Sequence, residues 1–152
     1  MKKLLLSILV CQSAGIIGSF FTVSGLQWYA TLSKPSFSPP NWVFGPVWIT
    51  LYFLMGIALF LVWRRGLDKK EVRLAFWFFI AHLSFNALWS VAFFGLRDVT
   101  IALSVILFLL AMIIRAVKQF WPIDKRAGYL LLPYLVWVSF ATVLNYYLWA
   151  LN

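Results

Sequence analysis

Cysteine and acidic residues are the scarcest reactive groups in this chain of 152 residues. Its one cysteine, Cys11, excludes an internal disulfide and any metal site built from several cysteines. The acidic residues number only 4, and all of them fall between apolar segments or at their ends: Asp68, Glu71, Asp98 and Asp124. Because no carboxylate lies inside an apolar segment, none is available there to relay protons or bind a coupling cation, which argues against an ion-driven transporter.

The sequence also lacks the patterns of an ordinary catalytic or cofactor site. It contains no Ser-His-Asp set, close carboxylate pair, phosphate-binding glycine loop or metal-ligand spacing. We therefore expect no metal site and no required cofactor.

Apolar residues dominate what is present. They make up 64% of the chain, against roughly 45–50% in a soluble domain. A helix needs about 20 apolar residues to cross the hydrocarbon of a bilayer. Five segments meet this length: 4–23, 44–63, 72–94, 99–117 and 128–150. The sequence predicts an all-α integral membrane protein, with residues 1–152 forming one domain of five transmembrane helices in a single bundle.

The net charge of +9 is distributed unevenly between the two sides of this bundle. Only Lys34 and Arg97 fall on one side, whereas the other 11 of the 13 basic residues fall on the side of the N-terminus. This asymmetry predicts a cytoplasmic N-terminus and a C-terminus outside, in a multi-pass protein of a prokaryotic cytoplasmic membrane. It also argues against nucleic acid as the partner of the basic residues and indicates a lipid bilayer instead.

The connection between the first two segments, residues 24–43, is much longer than the others. Long loops in compact proteins are usually functional or disordered. Bulky aromatic side chains and three prolines favour order here: Trp28, Tyr29, Pro35, Phe37, Pro39, Pro40 and Trp42. We expect a lid across the mouth of the bundle, the alternative being a stiff strap at the membrane interface.

Three tryptophans, Trp48, Trp89 and Trp137, lie deep within apolar segments, whereas tryptophan usually lies at the interface. Helical spacing places polar and aromatic residues on one face of the second, third and fifth segments. These faces contain Trp48, Tyr52, His82, Asn86, Trp89, Ser90, Phe93, Tyr134, Trp137, Ala141, Leu144 and Asn145. Together they predict an aromatic cavity with a few amide and hydroxyl groups, which suits a flat, apolar ligand.

Each polar residue on these faces also has a purely structural interpretation. Asn86 and Asn145 either bond across helices or contact the ligand, and the sequence leaves both open. For His82 we favour a packed, neutral imidazole, the alternative being an axial ligand of haem.

Several motifs resemble the translocator protein family, also called tryptophan-rich sensory proteins or peripheral benzodiazepine receptors. They are WY at 28–29, LSKP at 32–35, PPNWVFGPVW at 39–48, LY at 51–52, NALWS at 86–90, FFG at 93–95, PYLVW at 133–137 and FATVLNY at 140–146. The match covers essentially the whole chain.

This resemblance implies a five-helix bundle, often homodimeric, with a pocket under the first connection. It implies porphyrins, haem precursors, and isoquinoline or benzodiazepine drugs as ligands. The residues that it places in the pocket are Trp28, Tyr29, Trp42, Trp48, Asn86, Phe93, Trp137, Ala141 and Leu144. Animal members bind cholesterol, but the basic residue that their recognition pattern needs after tyrosine is replaced here by Ala150-Leu151, which argues against sterol binding.

Three functions are compatible with this sequence. The favoured one is a membrane receptor or carrier for tetrapyrroles, with a sensory or stress-regulatory role. The second is light- and oxygen-dependent breakdown of porphyrin, which the resemblance attaches to Trp48 and Trp137. The third is a non-catalytic regulator of another membrane protein, for which small residues on the third segment offer a weak signal.

Overall fold

The computed structural model describes residues 1–152 and contains five long helices without any strand. They are α1 (Lys2–Thr31), α2 (Asn41–Trp63), α3 (Lys70–Ser90), α4 (Val99–Ile123) and α5 (Lys125–Leu151), and a π-helical turn (Val91–Gly95) continues α3. All five helices are long and apolar enough to cross a membrane. The predicted fold class is therefore confirmed.

The first connection is shorter than the predicted lid of residues 24–43. Helix α1 continues to Thr31 and α2 begins at Asn41, so the irregular segment is Leu32–Pro40. The apolar run ends at Val23, but a helix does not have to end where its hydrophobicity falls. It ends here just before Lys34-Pro35, because proline disfavours helical backbone at the preceding residue.

The helices form a ring in the order α1, α2, α5, α4, α3, and α2 also packs on α3 across this ring. Along the bundle axis, one half of the interior is tightly packed, and we call it the solid half. Its centre contains fully buried side chains from four helices, such as Met55, Phe79, Ile113 and Leu131. This half includes the end of the bundle where most of the basic residues lie.

The π-helical turn lies in the other half and brings α3 close to α1. Leu96 N–H donates to Val91 O at 2.7 Å. The turn ends at Gly95, and two residues later Arg97 has a left-handed φ of 57°. Asp98 then caps α4 by accepting from the backbone N–H groups of Thr100 and Ile101, both at 2.9 Å. Such π turns occur frequently at functional sites.

Asp124 joins three elements at the basic end of the bundle. Its side chain is 3% exposed. The carboxylate caps α5 by accepting from the Arg126 N–H, and it also accepts from the guanidinium groups of Arg126 at 3.1 Å and Arg65 at 2.8 Å. The hydrogen bond from Arg126 is the main reason why the pKa of Asp124 lies well below its usual range; burial opposes this shift and Arg65 adds to it.

We expect Asp124→Asn to lower the midpoint of thermal unfolding by a few degrees at pH 7, since asparagine keeps the cap but loses both ion pairs. A carboxyl whose folded pKa is depressed stabilises the fold above its unfolded pKa, about 3.9, and this contribution is lost as pH falls through the folded pKa. The wild type and the variant should therefore differ by a constant amount from pH 8 to pH 5 and converge in stronger acid. Thermal unfolding in detergent across this range measures the difference.

Asp98→Asn is the matched control for this substitution. Asp98 also caps a helix, but it forms no ion pair. Equal losses in the two variants, or a difference that grows in acid, would show that the ion pairs of Asp124 contribute nothing.

Candidate ligand-binding site

A cavity of about 490 Å³ occupies the open half of the bundle, on the side of Leu32–Pro40. Its walls come from α1, α2, α5 and the end of α3 with its π turn, whereas α4 supplies no lining residue. This volume lies within the range of small-molecule sites, roughly 300–1,000 Å³.

The structure brings most of the predicted site residues to this one cavity. Those that line it are Tyr29, Trp48, Tyr52, Asn86, Trp89, Phe93, Trp137, Ala141, Leu144 and Asn145. Four others do not line it: His82 and Tyr134 are buried below it, and Trp28 and Trp42 lie outside it. Trp42 is 75% exposed on the first turn of α2, and Trp28 lies behind the wall with its ring edge-on to Phe93 at 5.4 Å.

Indoles from α2 and α5 form part of the wall. The Trp48 ring stacks on Tyr52, with centroids 5.5 Å apart and an interplanar angle of 30°, and lies edge-on to Tyr134. Trp137 packs edge-on against Phe44, at 5.9 Å between centroids. Both tryptophans thus face the cavity and are held by aromatic neighbours, which fixes the orientation of the rings.

Two polar atoms of lining residues are buried without any hydrogen-bond partner in the protein. They are Nε1 of Trp137 and the hydroxyl oxygen of Tyr29. A buried donor without a partner costs about 1–3 kcal/mol, so such groups are uncommon unless something else satisfies them. Both residues line the cavity, but the two atoms themselves have almost no accessible surface, so a bound molecule with acceptor atoms reaches them only after a small movement of the side chains.

The side chains of Asn145 and Trp89, by contrast, have hydrogen-bond partners within the protein. The indole N–H of Trp89 donates to Asn145 Oδ1 at 3.0 Å, and the amide of Asn145 donates to Val99 O at 3.3 Å. The Trp89 ring also stacks on Phe93 at 5.3 Å. Asn145 therefore forms the interhelical bonds of the structural interpretation, although it also lines the cavity.

His82 is fully buried below the cavity and does not line it. Its Nδ1 lies 3.2 Å from Phe79 O, and its Nε2 lies 2.8 Å from the hydroxyl of Tyr134. Both ring nitrogens are thus engaged within the protein, which matches the packed imidazole.

Helix α1 forms a large part of the wall that the sequence did not indicate beyond Tyr29. Its contribution consists of Gln12, Gly15, Ile16, Gly18, Ser19, Thr22, Val23 and Leu26. The small and polar members recur every three or four residues in an otherwise apolar helix, and this stripe was the signal available in the sequence.

The segment Leu32–Pro40 crosses the end of the bundle and is attached to α5. The backbone of Ser33 forms two hydrogen bonds with the Asn152 side chain, at 2.9 and 3.0 Å, and Phe37 packs edge-on against Tyr147. No Cα of α1 comes within 8 Å of a Cα of α5. The segment therefore bridges two helices that the cavity keeps apart.

The chemistry available in the cavity is limited. No acidic, basic or histidine side chain is among its 25 lining residues. The walls are mainly apolar and aromatic, with hydroxyl, amide and indole groups at a few points. Such a site can enclose an apolar body and orient it by hydrogen bonds, but it offers no charged acid or base for proton transfer.

Comparison with known proteins gives a consistent result over the full length. Residues 7–150 match the model of the TspO/MBR family. The chain is 44% identical to the tryptophan-rich protein TspO of Archaeoglobus fulgidus, over 99% of this chain and 97% of that protein. It is 40% identical to the human translocator protein, over 90% and 82% of the two chains. The tryptophan-rich sensory protein of Cereibacter sphaeroides is 39% identical, over 83% and 77%.

Proposed function

This chain belongs to the TspO/MBR family of integral membrane proteins, and from this premise we propose that it is a receptor or carrier that binds porphyrins in the cavity under Leu32–Pro40. The resemblance inferred from the sequence motifs is confirmed at the level of the family. The names of two relatives, a translocator protein and a sensory protein, agree with the two roles that this proposal combines.

The unpartnered indole N–H of Trp137 is the observation that carries the proposal. It lies on an apolar wall together with the unpartnered hydroxyl of Tyr29. A porphyrin is a flat, apolar disc whose peripheral carboxylates are hydrogen-bond acceptors. The aromatic walls suit its faces, and the two donors suit its acceptors.

The segment Leu32–Pro40 acts in this proposal as the lid of the site. Its attachment through Ser33 and Phe37 to α5 supports this role, because the same segment begins at the end of α1 on the opposite wall. A lid anchored on both sides of a cavity excludes water from it and retains an apolar guest.

We further propose that the end of the bundle that carries Arg65 and Lys70 faces the cytoplasm, in accordance with the positive-inside rule. The cation–π contact between Lys3 and Trp63 and the ion pair between Arg65 and Asp124 support this, since they bring basic residues from separate segments to one end. A reporter enzyme that functions only outside the cytoplasm should therefore be active when it is fused after Asn152.

Titration of purified protein with protoporphyrin tests the proposed function. We expect saturable quenching of tryptophan emission in dim light, where photo-oxidation of the indoles is slow. Trp137→Leu should weaken the affinity about tenfold, because it removes both the aromatic surface and the unpartnered donor; tenfold corresponds to about 1.4 kcal/mol.

Trp149→Leu provides the control on the same helix. Trp149 is 44% exposed and does not line the cavity, so its loss should leave the affinity unchanged. Absence of saturable quenching in the wild type would refute porphyrin binding, and equal affinities in the two variants would remove Trp137 from the site.

A further inference from the structure

Four side chains form a continuous chain of hydrogen bonds from the cavity into the solid half of the bundle. Tyr52 on α2 bonds to Asn86 Oδ1 on α3, and Asn86 Nδ2 lies 2.8 Å from the hydroxyl of Tyr134 on α5. That hydroxyl lies 2.8 Å from His82 Nε2, and His82 Nδ1 lies 3.2 Å from Phe79 O. The chain therefore links three helices.

The carbonyl of Phe79 sets the direction of every bond in this chain. A carbonyl oxygen can only accept, so His82 must carry its proton on Nδ1 and leave Nε2 as an acceptor. The Tyr134 hydroxyl then donates to Nε2 and must itself accept from Asn86.

This requirement fixes the orientation of the Asn86 carboxamide, because its two flipped orientations have the same shape and differ only in their hydrogen bonds. Its NH₂ group has to face Tyr134, and its oxygen has to face Tyr52. The Tyr52 hydroxyl consequently donates its only proton to Asn86.

The two ends of the chain lie in different surroundings. Tyr52 and Asn86 line the cavity, whereas His82 and Tyr134 are 0% and 1% exposed and do not line it. After all four bonds are formed, the protein leaves the second amide hydrogen of Asn86 and the lone pairs of the Tyr52 oxygen unused. The cavity floor thus offers one donor and one acceptor in a fixed arrangement.

We propose that His82 and Tyr134 are positioning residues that hold the Asn86 carboxamide and the Tyr52 hydroxyl in this arrangement for a ligand. The ligand part of this inference rests on the proposed function. The guest favoured by such a floor is an aromatic ring system with a carboxyl group on its edge, as in the propionate groups of a porphyrin. Because the chain has only four links, loss of the central hydroxyl removes the constraint from both floor residues.

The ¹⁵N spectrum of the imidazole tests the direction of the chain without any ligand. His82 is the only histidine of the protein, so its signal needs no assignment. We expect a neutral ring with its proton on Nδ1 in the wild type and in Tyr129→Phe, whose substituted residue is 58% exposed on the same helix. In Tyr134→Phe, Phe79 O still accepts the Nδ1 proton but Nε2 loses its hydrogen-bond donor, so the tautomer should persist while the Nε2 signal shifts toward that of an acceptor nitrogen without a hydrogen bond. A wild-type ring protonated on Nε2 would overturn the inference.

Binding of protoporphyrin tests the positioning role. Tyr134→Phe should weaken the affinity about tenfold and Tyr129→Phe should not. His82→Gln, whose amide oxygen can accept from Tyr134, should bind more tightly than His82→Leu. Lower thermal stability of Tyr134→Phe and His82→Leu with unchanged affinity would reduce both residues to structural ones and overturn the proposal. If the wild type binds no protoporphyrin, the proposed function fails, and the tautomer alone decides this inference.

Discussion

Alanine in place of Gly25 should lower the midpoint of thermal unfolding by about 5 °C and reduce the affinity for protoporphyrin. A Cβ at this position would lie 2.8 Å from the backbone oxygen of Phe94 and 2.9 Å from its Cα, distances that real Cβ atoms essentially never show. The obstacle is backbone of the π turn, so α1 itself has to move. Overpacking of this kind costs about 1–3 kcal/mol, more than the gain of about 1 kcal/mol from removing a helical glycine.

Gly45→Ala is the control, since a Cβ on Gly45 meets nothing within 4 Å. Here only the gain in helix propensity remains, about 1 kcal/mol at most, and the midpoint should rise slightly. Thermal unfolding of both variants in the same detergent measures the difference. If Gly25→Ala proves as stable as Gly45→Ala, the close approach of α1 to the π turn does not constrain the bundle.

The five helices could be predicted because their cause is local in the sequence. Each apolar segment must satisfy its own backbone hydrogen bonds inside a bilayer, so length and composition alone decide helix formation. The end of α1 could not be predicted from the same argument. Beyond Val23 the helix continues for two more turns, where side chains such as Tyr29 pack on the π turn rather than on lipid.

The cavity walls on α2, α3 and α5 could be predicted because deep aromatic and amide residues are unusual in a membrane helix. The wall on α1 contains residues such as Gly15, Ser19 and Thr22, which are common in membrane helices and usually mark close packing. Gly15, Gly18 and Gly25 do pack closely, against Tyr52, Ser90 and Phe94, although Gly15 and Gly18 also line the cavity. Small residues therefore have two uses on this one helix, and the sequence does not distinguish them.

The π turn is a consequence of tertiary packing and left no pattern in the sequence. Its extra residue per turn lets Phe93 and Phe94 both contact Tyr29, at 6.0 and 5.9 Å between ring centroids. Phe93 thereby becomes part of the cavity wall. The shape of the cavity thus depends on the same contact between α1 and the turn that Gly25 makes possible.

Phenylalanine in place of Ala141 should abolish binding of protoporphyrin, with a dissociation constant at least 100-fold higher, equivalent to about 2.8 kcal/mol. Ala141 lies on the cavity wall, one helical turn from Trp137. A benzyl group at this position projects into the space that the porphyrin would occupy. Because the new ring enters an existing cavity, it meets little overpacking, and thermal stability should stay close to that of the wild type. Quenching of tryptophan emission measures the affinity.

Val143→Phe adds the same ring on the exposed side of α5 and serves as the control. Val143 is 49% exposed and does not line the cavity, so its variant should bind like the wild type. Since α5 carries both substitutions two residues apart, a general disturbance of the helix affects both variants alike, whereas occlusion of the cavity affects only Ala141→Phe. A folded Ala141→Phe variant that binds protoporphyrin with wild-type affinity would place the ligand elsewhere on the protein. Selective loss in Ala141→Phe would instead assign it to the cavity between α1 and α5.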